Sequence, residues 1–310
     1  MLFRSIGIIL SDINMPEMDG LTLLTRLKEL KNPALKTVIV SAYGDMENIR
    51  TAMNRGAFDF LTKPISFDDL EITISKTMEE ILQARQMQQE HDQLVSIRQD
   101  LNIAKEIQQA ILPKVFPPFP DRNDSSLYAS MLPAREVGGD FYDYFLIDND
   151  HLGFVIGDVS GKGVPAAIFM AVSRTLIRAT GLKGNTAADC LRYVNNMLCL
   201  ESVASMFVTV FYGILDMRNG QLEYVNAGHN PPYLVNSKGI SKLPMTGGTI
   251  LGCLEGFLYT SATLSLSPGD RMFLYTDGVT EAFNPAEEAY GEERLETFLQ
   301  QSKADPIESV

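Results

Sequence analysis

Arg135-Glu-Val-Gly-Gly-Asp-Phe-Tyr-Asp143, followed by Gly157-Asp-Val-Ser-Gly-Lys-Gly163, places two acidic turns about one hairpin apart, and Tyr275-Thr-Asp-Gly-Val-Thr-Glu281 adds a third. Each turn joins glycine to an apolar, strand-like run, so its Asp carboxylate projects from a rigid edge with little bulk beside it. Three such carboxylates meeting in one pocket form a hard, all-oxygen site, which suits Mg2+ or Mn2+ and disfavours zinc. Such a site does phosphate chemistry. Around the turns, strands are expected over 128–132, 141–146, 152–158, 207–216, 221–226, 233–236, 258–264 and 271–276, with helices over 164–180 and 187–200. Many hairpin-length strands with few helices predict an α+β sandwich over 113–310, two antiparallel sheets covered by helices.

Working outward, residues 1–75 alternate short apolar runs with amphipathic stretches. Strands are expected over 6–10, 37–40 and 58–61 and helices over 21–30 and 45–55, the alternation of a doubly wound parallel α/β sheet. Residues 68–112 read as one long polar helix, free of Gly and Pro until Pro113, with 76–112 as the linker between two domains. Met87, Leu94 and Leu101 recur every seven residues, and Ile97, Ala104 and Ile111 repeat that spacing. The pattern predicts a homodimeric coiled coil over 86–111. The proline-rich run 113–120 then breaks the helix.

The composition narrows the function. A formal net charge of -13 argues against a nucleic-acid surface, which needs clustered Lys and Arg. No apolar run approaches the roughly 18–20 residues that span a bilayer, and Met1-Leu-Phe-Arg-Ser does not form a signal peptide, so a cytoplasmic protein is expected. Cys190, Cys199 and Cys253 are scattered and lack metal-ligand spacing, and are expected to be buried small hydrophobes in a reducing compartment.

In the N-terminal segment, Leu10-Ser-Asp-Ile-Asn-Met-Pro-Glu-Met-Asp-Gly20 puts Asp12 at a strand end, Ser41 ends the next strand, and Lys63-Pro64 ends the one after. A carboxylate, a hydroxyl and an ammonium on adjacent strand ends can receive a phosphoryl group, bond its oxygens and neutralise its charge. The ordered set resembles the receiver domain of two-component response regulators. The resemblance implies that Asp12 is the phosphoacceptor, modified by a sensor histidine kinase. It also implies that Ser41 and Lys63 are the switch hydroxyl and lysine, that Phe60 is the switch aromatic, and that the Asn14 carbonyl is a Mg2+ ligand. Receiver domains open with a strand bearing an acidic Mg2+-binding pair. Eleven residues precede Asp12 here, so that portion is expected to be missing.

In the C-terminal segment, Asp158 at its strand end could bridge two cations, with the Val159 carbonyl as an extra ligand. A water shared by two such cations ionises near neutral pH and can attack a phosphate ester in line. His229, in Asn226-Ala-Gly-His-Asn-Pro-Pro232, either protonates a leaving group or structures its turn. Asp143 is read as a non-ligand. Together with 104–113, these motifs resemble the SpoIIE/RsbU branch of the metal-dependent (PPM-type) serine/threonine phosphatases. The resemblance implies Mn2+ or Mg2+ held by Asp140, Asp158 and Asp277, with Asp158 and Asp277 central to catalysis. The family closes on an Asp-Asp pair that supplies a further ligand, and none follows Asp277 here.

The expected function is a response regulator whose output hydrolyses phosphoserine or phosphothreonine on a partner such as an anti-sigma-factor antagonist. The alternative is a phosphatase-like module that binds the antagonist without turnover.

Overall fold

The structure, a computed structural model, describes residues 7–120, 122, 125–133, 136–201 and 206–309. Ile6, Arg135 and Val310, which bound stretches named above, lie outside the described residues. The chain divides into two compact units, with the division between Gln99 and Asp100.

The first unit holds a three-stranded parallel sheet in the order β1 (Ile8–Asp12), β2 (Lys36–Ala42), β3 (Asp59–Lys63). Helices α1 (Gly20–Glu29) and α2 (Met46–Arg55) connect these strands. Asp19 caps α1 by accepting from the Thr22 backbone N–H at 2.6 Å, and Gly56 ends α2 in the left-handed conformation. Ile13, Leu24, Ile39, Ala52 and Ala57 form the core on the helix side. α3 (Phe67–Ile111) is a single 45-residue helix, and Met87 and Leu94 of one seven-residue stripe and Ile97 of the other are exposed.

The second unit is a layered sandwich. A five-stranded antiparallel sheet runs in the order β10-β7-β6-β5-β4, built from β4 (Phe141–Leu146), β5 (His151–Val159), β6 (Val208–Asp216), β7 (Gln221–Ala227) and β10 (Ala262–Ser265). A three-stranded sheet runs β11-β8-β9, from β8 (Tyr233–Asn236), β9 (Gly239–Lys242) and β11 (Arg271–Phe273). Helices α4 (Val164–Gly181) and α5 (Ala187–Glu201) cover the large sheet. Met170, Ile177, Leu191 and Val194 pack there on Phe141, Phe145, Val155 and Tyr212. Phe211, Leu222, Tyr224 and Leu234 fill the space between the sheets. Helix α7 (Glu292–Gln301) closes the far face with Leu295 and Leu299 against Tyr233 and Tyr275. The short α6 (Asp277–Thr280) and a 3-10 turn at Ile307–Ser309 complete the unit.

Three local expectations change. Residues 128–132 form no strand: their alternation has no ladder partner, and Tyr128 and Met131 instead line a cavity of about 390 Å³ beside β4 and β11. Asp277 opens helix α6, because β11 already ends at Phe273. Of the cysteines only Cys190 is buried; Cys199 is half-buried and Cys253 exposed. Among the described residues, no helix is long and apolar enough to cross a membrane.

Candidate active site

Asp140 and Asp158 meet because β4 and β5 pair antiparallel with Phe141 opposite Gly157, which brings the start of one strand beside the end of the other. Two glycines make the approach possible. A Cβ on Gly139 would lie 2.7 Å from the Val159 carbonyl oxygen, and one on Gly157 would lie 2.6 Å from the Phe141 ring and 2.9 Å from the Thr209 carbonyl. Asp277 arrives from the other sheet, at the start of α6. The Thr276 hydroxyl, one residue earlier, donates to Asp140 Oδ2 at 2.8 Å.

The electrostatics show how crowded the carboxylates are. Burial pushes the Asp158 carboxyl up to about 8, helped by a hydrogen bond shared with Asp140 and by the negative charges of Asp140, Asp277 and Glu281. Glu281 was not singled out from the sequence, although it closes the Thr-Asp-Gly-Val-Thr-Glu motif. Among the described residues, no three His, Cys, Asp or Glu side chains are already gathered closely enough to hold an ion. The donor chemistry nevertheless fits a hard divalent cation, whose charge would take the place of the proton between Asp140 and Asp158. The Val159 carbonyl, facing Gly139, stands at the same edge.

His229 is placed inside the fold. It is 2 % exposed, its Nδ1 lies 2.9 Å from the Thr209 hydroxyl and its Nε2 lies 3.2 Å from the Tyr275 carbonyl. Burial pulls its pKa down to about 4, so the ring is neutral at physiological pH. With both nitrogens engaged it structures the turn, the second of the two roles weighed above.

Gln108 and the partners of Asp143 escaped the sequence reading. Gln108, buried on α3, donates to the Gly138 carbonyl at 2.7 Å and accepts from its N–H at 3.1 Å, pinning the turn that carries Asp140. Asp143, read as a non-ligand, points away from the acidic turns into the helix layer. It meets Arg178 Nη1 at 2.7 Å and Arg174 Nε at 2.8 Å with its side chain fully buried. The Arg174 contact is an ion pair only, since its angle misses hydrogen-bond geometry.

In the first unit, the Asp12 carboxylate contacts Lys63 Nζ and accepts from the Asn14 N–H at 3.1 Å. These two partners, Lys63 foremost, hold its pKa below the ordinary carboxylate value. The parallel register explains the meeting, with Asp12 opposite Val40 and Lys63 opposite Ala42, so the three strand ends share one edge. Ser41 stands on that edge, but its hydroxyl donates to Asp45 Oδ2 at 3.2 Å. Phe60, on β3, is 36% exposed.

The sequences of both units match known families. A sequence model of Stage II sporulation protein E (SpoIIE) matches residues 148–310, more than half of the chain. The chain belongs to the SpoIIE family. A model of the response regulator receiver domain matches residues 2–75. Asp158, His229 and Asp277 lie within the SpoIIE match, and Asp12, Ser41, Phe60 and Lys63 lie within the receiver match. The chain is 36% identical to Protein IcfG of Synechocystis sp. over 225 residues, 64% of this chain and 35% of IcfG. It is 32% identical to Phosphoserine phosphatase RsbU of Bacillus subtilis over 199 residues, 62% of this chain and 58% of RsbU. The chain therefore spans less than two thirds of the length of these relatives. The SiaA-PP2C domain of Pseudomonas aeruginosa superimposes with a TM-score of 0.58 at 23% identity, covering 70% of this chain and 86% of that domain. At that identity the likeness speaks for the fold.

Proposed function

We propose that this chain is a response regulator with a metal-dependent protein serine/threonine phosphatase output. It would comprise a receiver over 1–75, a helical linker over 76–112 and a phosphatase domain over 113–310. The observation that carries the reading is the carboxylate cluster around Asp158, which burial and three acidic neighbours make costly to ionise without a cation. Asp140, Asp158, Asp277 and the Val159 carbonyl would hold Mn2+ or Mg2+. When bound, such ions polarise phosphoryl oxygens and acidify water.

The chain's own residues prepare the site. Thr276 orients Asp140, Gln108 fixes the turn before it, and the neutral His229 carries no positive charge to compete with a cation. No side-chain nucleophile is assigned. The substrate class is phosphoserine or phosphothreonine on a protein, which the name of the phosphoserine phosphatase RsbU supports, and the partner we propose is an anti-sigma-factor antagonist. A sensor histidine kinase would phosphorylate Asp12, with Lys63, Ser41 and Phe60 as the responding set and the Asn14 carbonyl toward Mg2+. Exposed Met87 and Leu94 of one seven-residue stripe and Ile97 of the other support a homodimer through 86–111.

A second reading, a module that binds the phosphorylated antagonist without turnover, is favoured by the lack of three gathered ligands among the described residues. Release of phosphate from a phosphoserine peptide separates the two. Hydrolysis that requires added Mn2+ or Mg2+ and survives serine- and cysteine-directed reagents supports the enzyme; full activity in EDTA removes the mechanism.

A further inference from the structure

We infer that His229 is a positioning residue that locks the carboxylates of the two sheets into one site, by joining β6 to the segment that delivers Asp277. This inference rests on the metal-site reading above.

The three acidic residues come from three separate segments. Asp140 and Asp158 share the large sheet and are fixed by the β4–β5 ladder. Asp277 follows β11 of the small sheet, after a stretch that has already left its strand. Nothing in either ladder therefore sets its distance from Asp158. Like charges make that distance hard to keep, because Asp277 and Glu281 both act electrostatically on Asp158.

His229 spans that gap. The Tyr275 carbonyl can only accept, so Nε2 carries the proton and donates to it. Nδ1 is then an acceptor, and the Thr209 hydroxyl donates to it. Thr209 is the ladder partner of Asp158 on β6, and Tyr275 lies two residues before Asp277. The ring thus connects the strand beside one ligand to the backbone beside another. Its own backbone is clamped by Asn226, whose Oδ1 accepts from the His229 N–H at 2.8 Å and whose Nδ2 donates to the His229 carbonyl at 2.9 Å. Asn226 is itself buried.

The chemistry explains why a histidine does this. The strut needs one donor and one acceptor about a ring's width apart, and it must stay neutral, since a Lys or Arg there would compete with the metal for the carboxylates. Thr276, the next residue along, holds Asp140, so one short segment is tied to both of the other ligand-bearing turns.

The test is Mn2+ binding to the full chain, by calorimetry and by electron spin resonance of free Mn2+, for wild type, His229→Leu, His229→Gln and Thr209→Val. Loss of an orienting partner costs about 10–100-fold in metal affinity. His229→Leu should weaken binding by that much, and Thr209→Val by the lower end of that range. His229→Gln, which keeps a donor toward Tyr275, should stay within about 3-fold of wild type. Nitrogen-15 shifts of His229 in the metal-free chain should show the neutral Nε2–H tautomer. Circular dichroism checks folding; if His229→Leu does not fold, the comparison of Thr209→Val with wild type decides. Wild-type affinity in His229→Leu or in Thr209→Val would overturn the inference, as would equal losses in folded His229→Leu and His229→Gln, or an Nδ1–H tautomer. A wild-type chain that binds no Mn2+ would instead sink the metal-site reading, and this inference with it.

Discussion

Replacing Asp143 with Asn keeps the shape of the side chain and removes the negative charge facing Arg174 and Arg178. The carboxylate is fully buried, Arg174 is 14% exposed and Arg178 37%. Removing one partner from a buried ion pair costs ~3–5 kcal/mol, because the charge left behind is uncompensated. Arg178 can turn toward water and still donates to the Tyr144 carbonyl at 3.2 Å, so the lower end applies, about 3 kcal/mol. For a unit of this size each kcal/mol moves the melting temperature by about 2–4 °C, so a fall of roughly 6–12 °C is expected. The chain has no Trp, so urea unfolding is best followed by far-UV circular dichroism and tyrosine fluorescence. Replacing all three residues with apolar ones of similar volume (Asp143→Leu, Arg174→Leu, Arg178→Met) should recover most of the loss, since an intact buried ion pair contributes little net stability over good apolar packing. A midpoint for Asp143→Asn within about 0.5 kcal/mol of wild type, the scale of a neutral surface change, would refute the view that this triad pins α4 to β4.

Asp158→Asn should show the opposite profile, with folding retained and metal-dependent turnover lowered by orders of magnitude; near-normal turnover with an unchanged metal requirement would end the two-metal assignment. His229 has a folded pKa of about 4 against 6.5 when unfolded. The unfolded chain therefore binds more protons between those values, and stability is full above about pH 6.5 and falls toward pH 4. Between pH 7 and 5 this group should remove about 2 kcal/mol. Asp158, with its raised pKa, acts in the opposite sense, so the His229→Gln series must be subtracted from wild type, and a flat difference would contradict the buried neutral ring. Leu94→Lys with Leu101→Lys should yield monomers in sedimentation, and an unmutated chain that is already monomeric at high concentration would remove the coiled coil.

Periodicity alone gave α3 almost residue for residue, 68–112 expected against Phe67–Ile111 found, because a helix is written in local spacing. The same holds for β4, for α4 and for the strand–helix alternation that leads to Asp12 and Lys63. The glycines beside Asp140 and Asp158 marked the acidic site, since a close backbone approach leaves its signature in the residues themselves. Segment 128–132 had the alternation of a strand and found no partner, because pairing depends on which distant edge is free. Leu295 and Leu299 of α7 had helical spacing that was legible but not used. Asp143 already stood apart from Asp140 in the sequence as a non-ligand, but only the tertiary structure showed what it does instead. The two stand three residues apart in one motif, yet one faces Asp158 while the other is buried against arginines 31 and 35 residues further along the chain. His229 and Gln108 were settled in the same way: their roles lie in hydrogen bonds to backbone groups far off in sequence, and those partners become neighbours only when the ladders and helices pack.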